Sequence, residues 1–83
     1  MKLVYFAWVR QQIGVSQETV APPAEVQTVE QLVTWLAGRG EGYARAFADR
    51  SRIRAAVNQV HAGPAVRIAA GDEVAFFPPV TGG

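Results

Sequence analysis

Eighty-three residues make one domain, and a chain of that size buries only about 60% of the surface its unfolded form exposes. Without cysteine there is neither a disulfide framework nor a thiolate metal site, so a core drawn from the 49% hydrophobic residues must hold the fold. A net charge of +1 gives no electrostatic reason to expect nucleic acid or an anionic membrane as partner.

Residues 2 to 9 carry apolar side chains on both alternating sets, Leu3, Tyr5 and Ala7 on one and Val4, Phe6 and Trp8 on the other. Their β-branched and aromatic content predicts a central strand contacted on both faces. Lys2 precedes the run and Arg10 ends it, leaving it too short for a transmembrane helix and without a signal-peptide cleavage site. A cytoplasmic protein is expected. Gly14 allows a turn, and Glu18 to Ala21 returns antiparallel before Pro22-Pro23 stops it. Thr28-Val29-Glu30-Gln31 has the spacing of a capping box, with Thr28 at the N-cap and Gln31 reaching back. Val29, Leu32, Val33 and Leu36 follow at helical spacing, and Gly38 or Gly40 suits the C-terminal cap. One apolar stripe means that this helix lies on a sheet.

Tyr43 and Phe47, four apart, predict a short second helical segment within 41–48. Asp49-Arg50-Ser51 is a turn, and Ile53, Ala55 and Val57 alternate with Arg52, Arg54 and Ala56 as a strand with one wet face. Asn58-Gln59 and Gly63-Pro64 bracket a short strand. Gly71-Asp72 turns the chain into a last strand, Glu73 to Phe77, and Pro78-Pro79 ends its pairing. A first hairpin, a crossover helix and a closing strand make the first and last strands parallel neighbours. The expected fold is therefore α+β, a β-grasp (ubiquitin-like) domain over 1–77. It has a mixed sheet of four to five strands with one main helix on one face.

Side chains suited to catalysis are scarce. His61 is the one histidine and reads as a surface residue. Asp72-Glu73 beside Gly71 read as turn residues rather than paired catalytic carboxylates. Arg39, Arg45, Arg50, Arg52 and Arg54 read as a solvated face or a patch for an acidic partner. The aromatics are more informative. Alternation puts Phe76 and Phe77 on opposite faces, and likewise Tyr5 and Phe6, whereas one helix covers one face only. Phe6, Phe77 and Ala75 are expected on the face away from the helix, as a docking patch.

The chain then runs Pro78, Pro79, Val80, Thr81, Gly82, Gly83. Glycine lacks a Cβ, so two in succession make a thread thin enough for a narrow channel, with its carboxylate presented at the tip. Extended, residues 78–83 reach at most about 20 Å. Pro78 and Pro79 restrict the free tail and so lower the entropy lost on docking. Residues 78–83 are read as a delivery tail, with Gly83 as its reactive end.

These residues resemble a known family, the small subunit of molybdopterin synthase, the bacterial sulfur carrier of molybdenum-cofactor synthesis. The run from Gly71-Asp72-Glu73-Val74-Ala75-Phe76-Phe77 through Pro78-Pro79-Val80-Thr81-Gly82-Gly83 is similar to its C-terminal signature. Tyr5-Phe6-Ala7 with Val9-Arg10, Thr28-Val29-Glu30 and Ala56-Val57-Asn58 resemble its other recurring segments; residues 15–27 and Val60-His61-Ala62 follow no pattern of the family. The resemblance implies a subunit that is not an enzyme by itself and binds no cofactor or metal. A ubiquitin-activating-type adenylating enzyme would spend ATP on the Gly83 carboxylate, and a sulfur donor would convert the adenylate to a thiocarboxylate. The large synthase subunit, in a heterotetramer, would then take that sulfur to a cyclic pyranopterin phosphate. Without cysteine, sulfur has only the C-terminal carboxyl as attachment point. Two other readings stay open: a carrier for the thiazole of thiamine, which usually lacks the Phe-Phe-Pro-Pro lead-in, and a ubiquitin-like modifier of target lysines.

Overall fold

The computed structural model describes residues 1–79. Among them five strands form one mixed sheet in the order β2-β1-β5-β3-β4. The elements are β1 (Lys2–Tyr5), α1 (Ala7–Ile13), β2 (Gln17–Thr19), α2 (Val29–Ala37), α3 (Glu41–Ala46), a 3-10 turn (Arg50–Arg52), β3 (Arg54–Val57), β4 (Val60–Ala62) and β5 (Glu73–Phe77). β1 runs parallel to β5 with Leu3 opposite Val74 and Tyr5 opposite Phe76, and antiparallel to β2. The expected parallel pairing of first and last strands is present, and β5 has the expected bounds.

The first segment corrects the sequence reading. The strand ends at Tyr5, not Val9, and residues 7–13 are a helix that the alternating pattern concealed. A continuous apolar run cannot separate the two periods, because Trp8, Val9 and Ile13 also share a helical face. Ala7 makes the bend with φ 54, a left-handed conformation that costs an alanine roughly 1–2 kcal/mol. Val9 is fully buried, which offsets that cost. Gly14 closes α1 in the left-handed region, its N–H donating to Arg10 O at 2.8 Å. Gly42 lets α3 approach α1 closely, since a Cβ there would collide with the Gln12 carbonyl oxygen.

The main helix follows its sequence signals more closely. Val29, Leu32, Val33 and Leu36 are all buried, and Thr28 Oγ1 accepts from Gln31 N at 3.2 Å. Gln31 reaches back one residue further than expected, accepting from Gln27 N at 2.7 Å. The other N–H groups freed at this helix start are met by a loop: Val29 N donates to Val66 O at 3.0 Å and Glu30 N to Pro64 O at 2.9 Å. Asn58 and Gln59 both have positive φ, which gives the β3–β4 hairpin a tight two-residue turn. β3 is drier than expected, since Ala56 on its outer face is buried along with Ala55.

The core lies between the helices and one face of the sheet. Leu3, Tyr5, Val74 and Phe76 point into it, and Phe76 stands edge-on to Phe47 with ring centroids 5.1 Å apart.

Candidate docking face and delivery segment

Because side chains alternate along a strand, the residues between those core positions emerge on the other face. Opposite positions share a face, so Val4 of β1, Ala75 of β5, Ala56 of β3 and His61 of β4 form one row across the sheet. Beside it Phe77 faces Arg54 across the β5–β3 pair. Phe6 extends the ladder one step beyond β1, donating its N–H to Phe76 O at 3.1 Å with extended backbone (φ −123, ψ 153). It is the α1 N-cap and not a strand residue, and its side chain is 50% exposed. Lys2 and Glu73 pair at 3.7 Å at the opposite end of the same face.

Phe6, Phe77 and Ala75 are thus brought to one side of the sheet: Phe6 exposed, Ala75 and Phe77 half-buried. Val4 and Ala56 belong to the same surface and were missed, although the period of two that selected Phe77 also selects them. Phe77 closes β5, and half-buried Pro78 and Pro79 follow it directly. The remaining tail residues, Val80, Thr81, Gly82 and Gly83, lie outside the described residues.

Hydrogen bonding accounts for the acidic residues elsewhere. Asp72 accepts from Asn58 Nδ2 at 3.0 Å and from Ala69 N at 2.7 Å, and Asn58 Oδ1 accepts from Glu73 N at 3.0 Å. The Asn58 side chain and the Ala69 N–H hold the Asp72 carboxyl below its ordinary titration range. These bonds fasten the hairpin to the start of β5, as suits turn residues.

The arginine run does not gather into one patch. Arg39 meets Glu18 at 3.2 Å, Arg45 meets Glu41 at 3.7 Å and Arg50 meets Glu30 at 3.9 Å. Arg52 lies over the Trp8 ring at 5.1 Å, and Arg54 donates to the Ser51 and Ile53 carbonyls.

One network has strongly shifted groups. Tyr5 and Tyr43 hydroxyls both donate to Glu18 Oε2, at 2.7 and 2.6 Å, while Arg39 donates to Oε1. Partial burial pushes the Glu18 carboxyl up, but the two phenols and Arg39 together outweigh it and hold it below the usual glutamate value. Burial and the same bonds push both tyrosines up. This network ties β2 to β1 and α3 on the helix side of the sheet, away from Phe77.

Among the described residues no helix is long and apolar enough to cross a membrane.

The ThiS family model matches residues 3–83. The chain belongs to the ThiS family. Over 83 residues, all of this chain and 99% of the relative, it is 42% identical to the molybdopterin synthase sulfur carrier subunit of Escherichia coli (strain K12). The protein of the same name from Haemophilus influenzae is 34% identical over the same coverage. Among solved structures, SAMP1 from Haloferax volcanii superposes with a TM-score of 0.73 at 28% identity, covering 100% of this chain and 98% of that one. A chain described as molybdopterin converting factor subunit 1 from Pyrococcus furiosus gives 0.70 at 26% identity, with 95% of each chain covered. The ubiquitin-like fold and the resemblance read from the sequence both stand on these relatives.

Proposed function

We propose that this ThiS-family chain is the sulfur-carrier subunit of a molybdopterin synthase, with Gly83 as its working end. The observation that carries the reading is continuity: the face of the sheet away from the helices, with half-buried Val4, Ala75 and Phe77, runs directly into Pro78-Pro79, and the sequence continues to Gly82-Gly83. Two relatives named for that role, aligned along the whole chain, support it.

A carboxylate is a poor electrophile, so the chemistry must begin with activation. A ubiquitin-activating-type enzyme joins the Gly83 carboxylate to the α-phosphate of ATP, releasing pyrophosphate. A sulfur donor displaces AMP and leaves a thiocarboxylate. The charged carrier docks on the large synthase subunit through the open face, and residues 78–83 enter that subunit's active site. There the thiocarboxylate sulfur attacks a carbon of a cyclic pyranopterin phosphate, breaking a carbon–oxygen bond whose oxygen leaves with the phosphate or as water, and a second water cleaves the acyl–sulfur bond to restore the carboxylate. Two such deliveries make the dithiolene. This chain brings the nucleophile and the partner brings acid–base groups, so the carrier is not an enzyme by itself. Holding the face next to the partner's pocket turns tail entry into an intramolecular step with a raised effective concentration.

Intact-mass measurement after incubation with the adenylating enzyme, ATP and a sulfur donor should show one oxygen replaced by sulfur at Gly83. A chain lacking Gly83 should fold normally and transfer nothing. Sulfur on another residue, or full transfer by the shortened chain, would overturn the assignment.

A further inference from the structure

His61 is the one residue of the open face with a titratable ring, and the proposed chemistry gives it no task. It sits exposed on β4 opposite Ala56, and its ring stands edge-on to Phe77, centroids 5.5 Å apart at 85°. The ring spans β3 to reach Phe77 because Ala56, between them in the sheet, carries only a methyl group. With one histidine and no cysteine, this is the only side chain whose type ordinarily changes charge between about pH 5 and 8.

We propose that His61 is a contact residue of the docking face and that docking selects its neutral imidazole, so that partner binding expels a proton. The proposal rests on the reading of the open face as the docking face. Covering Phe77 also removes the ring touching it from water. An imidazolium trapped there would be desolvated without a counter-ion. Among the described residues, the charged groups facing it do not relieve that cost. Arg54 of β3 is a second cation, directly opposite Phe77, and Glu73 of β5 is turned to Lys2 of β1 at 3.7 Å. A neutral ring keeps one N–H donor and one acceptor nitrogen, so the fitting partner surface is apolar with a hydrogen-bonding group opposite β4. An acidic partner would reverse the effect. The free chain then holds the proton more readily than the complex. Affinity is therefore greater at neutral than at acid pH, and it changes by at most about tenfold per pH unit.

The test is titration calorimetry of the full chain against the large synthase subunit encoded in the same genome. Runs at about pH 7.5 and 5.5, in buffers of different ionisation enthalpy, count the protons released. The wild-type chain should bind about tenfold more weakly at the lower pH and release up to one proton. His61→Leu, and His61→Gln with hydrogen-bonding capacity kept, should lose that release and change less than about twofold. Equal slopes in all three chains, or tighter wild-type binding at low pH, would overturn the proposal. A Phe77→Ala control separates the two failures. If it binds like wild type at pH 7.5, the docking reading falls and takes this proposal with it. If it binds weakly while the slopes are equal, only the role of His61 falls.

Discussion

The two faces of the sheet are built from the same strands, and adjacent residues divide between them. On the helix side Leu3, Val74 and Phe76 have no exposed surface, and Tyr5 has almost none. One residue along, Val4, Ala75 and Phe77 remain half-buried, and Phe6 is half-exposed. Identical side-chain chemistry therefore has different consequences one position apart. Phe76 is enclosed by Tyr5 and Phe47, whereas Phe77 has the edge of His61 against its ring and stands opposite Arg54 in the sheet. An apolar surface that the fold itself leaves open is available for a partner, and its removal should cost the fold little. The helix side carries stability, and the open side has capacity to spare.

The largest effect expected from this contrast is on the closed side. Phe76→Ala should lower unfolding free energy by about 3–5 kcal/mol, because the ring is lost from a packed site that collapses only partly. For a domain that has few such residues, thermal melts should show a population already partly unfolded at ambient temperature. A melting temperature close to wild type would mean that the helix side does not carry the fold. A smaller effect should come from the Glu18 network. Glu18→Gln keeps an acceptor for one phenol but removes the charge facing Arg39, and should cost about 1–2 kcal/mol near neutral pH. Its pH dependence has a defined sign. The folded carboxyl titrates below its ordinary value, so its contribution is present above that value and disappears as pH falls through the folded one. The tyrosines are shifted upward, so their contribution holds below their ordinary value near 10 and is lost as pH rises beyond it. Melting curves across pH should show both limbs in wild type and a flatter acid limb in Glu18→Gln. Equal acid limbs would remove Glu18 from the account.

Much of the closed side was legible in the sequence because it depends on local spacing. The stripe Val29, Leu32, Val33 and Leu36, the Thr28 cap and the bounds of β5 each follow from periodicity or a single stop signal. The helix at 7–13 was not legible. Its residues satisfy a strand period as well, and the deciding feature is a left-handed Ala7 that no propensity favours. The Glu18 network was equally hidden, since it joins residues 13, 21 and 25 positions apart through tertiary contact alone. On the open side, Phe77 and Ala75 could be placed by alternation, because β5 is a regular strand. His61 could not, because its contact with Phe77 depends on the order of three strands and on the small side chain of Ala56. The arginine run, read as a solvated face or a patch, fits the solvated reading, because its members leave the backbone in different directions and find partners on α1, α2, α3 and β2.

The central claim is that the open face docks the partner and contributes little to the fold. Phe77→Ala tests it most directly when the same sample is measured for thermal unfolding and for binding to the large synthase subunit. A buried aromatic near an interface centre commonly costs 2 kcal/mol or more on truncation, so affinity should fall roughly thirtyfold while the melting temperature stays close to wild type. Unchanged affinity together with a sharp loss of melting temperature would contradict the account, making Phe77 part of the core and placing the docking surface elsewhere.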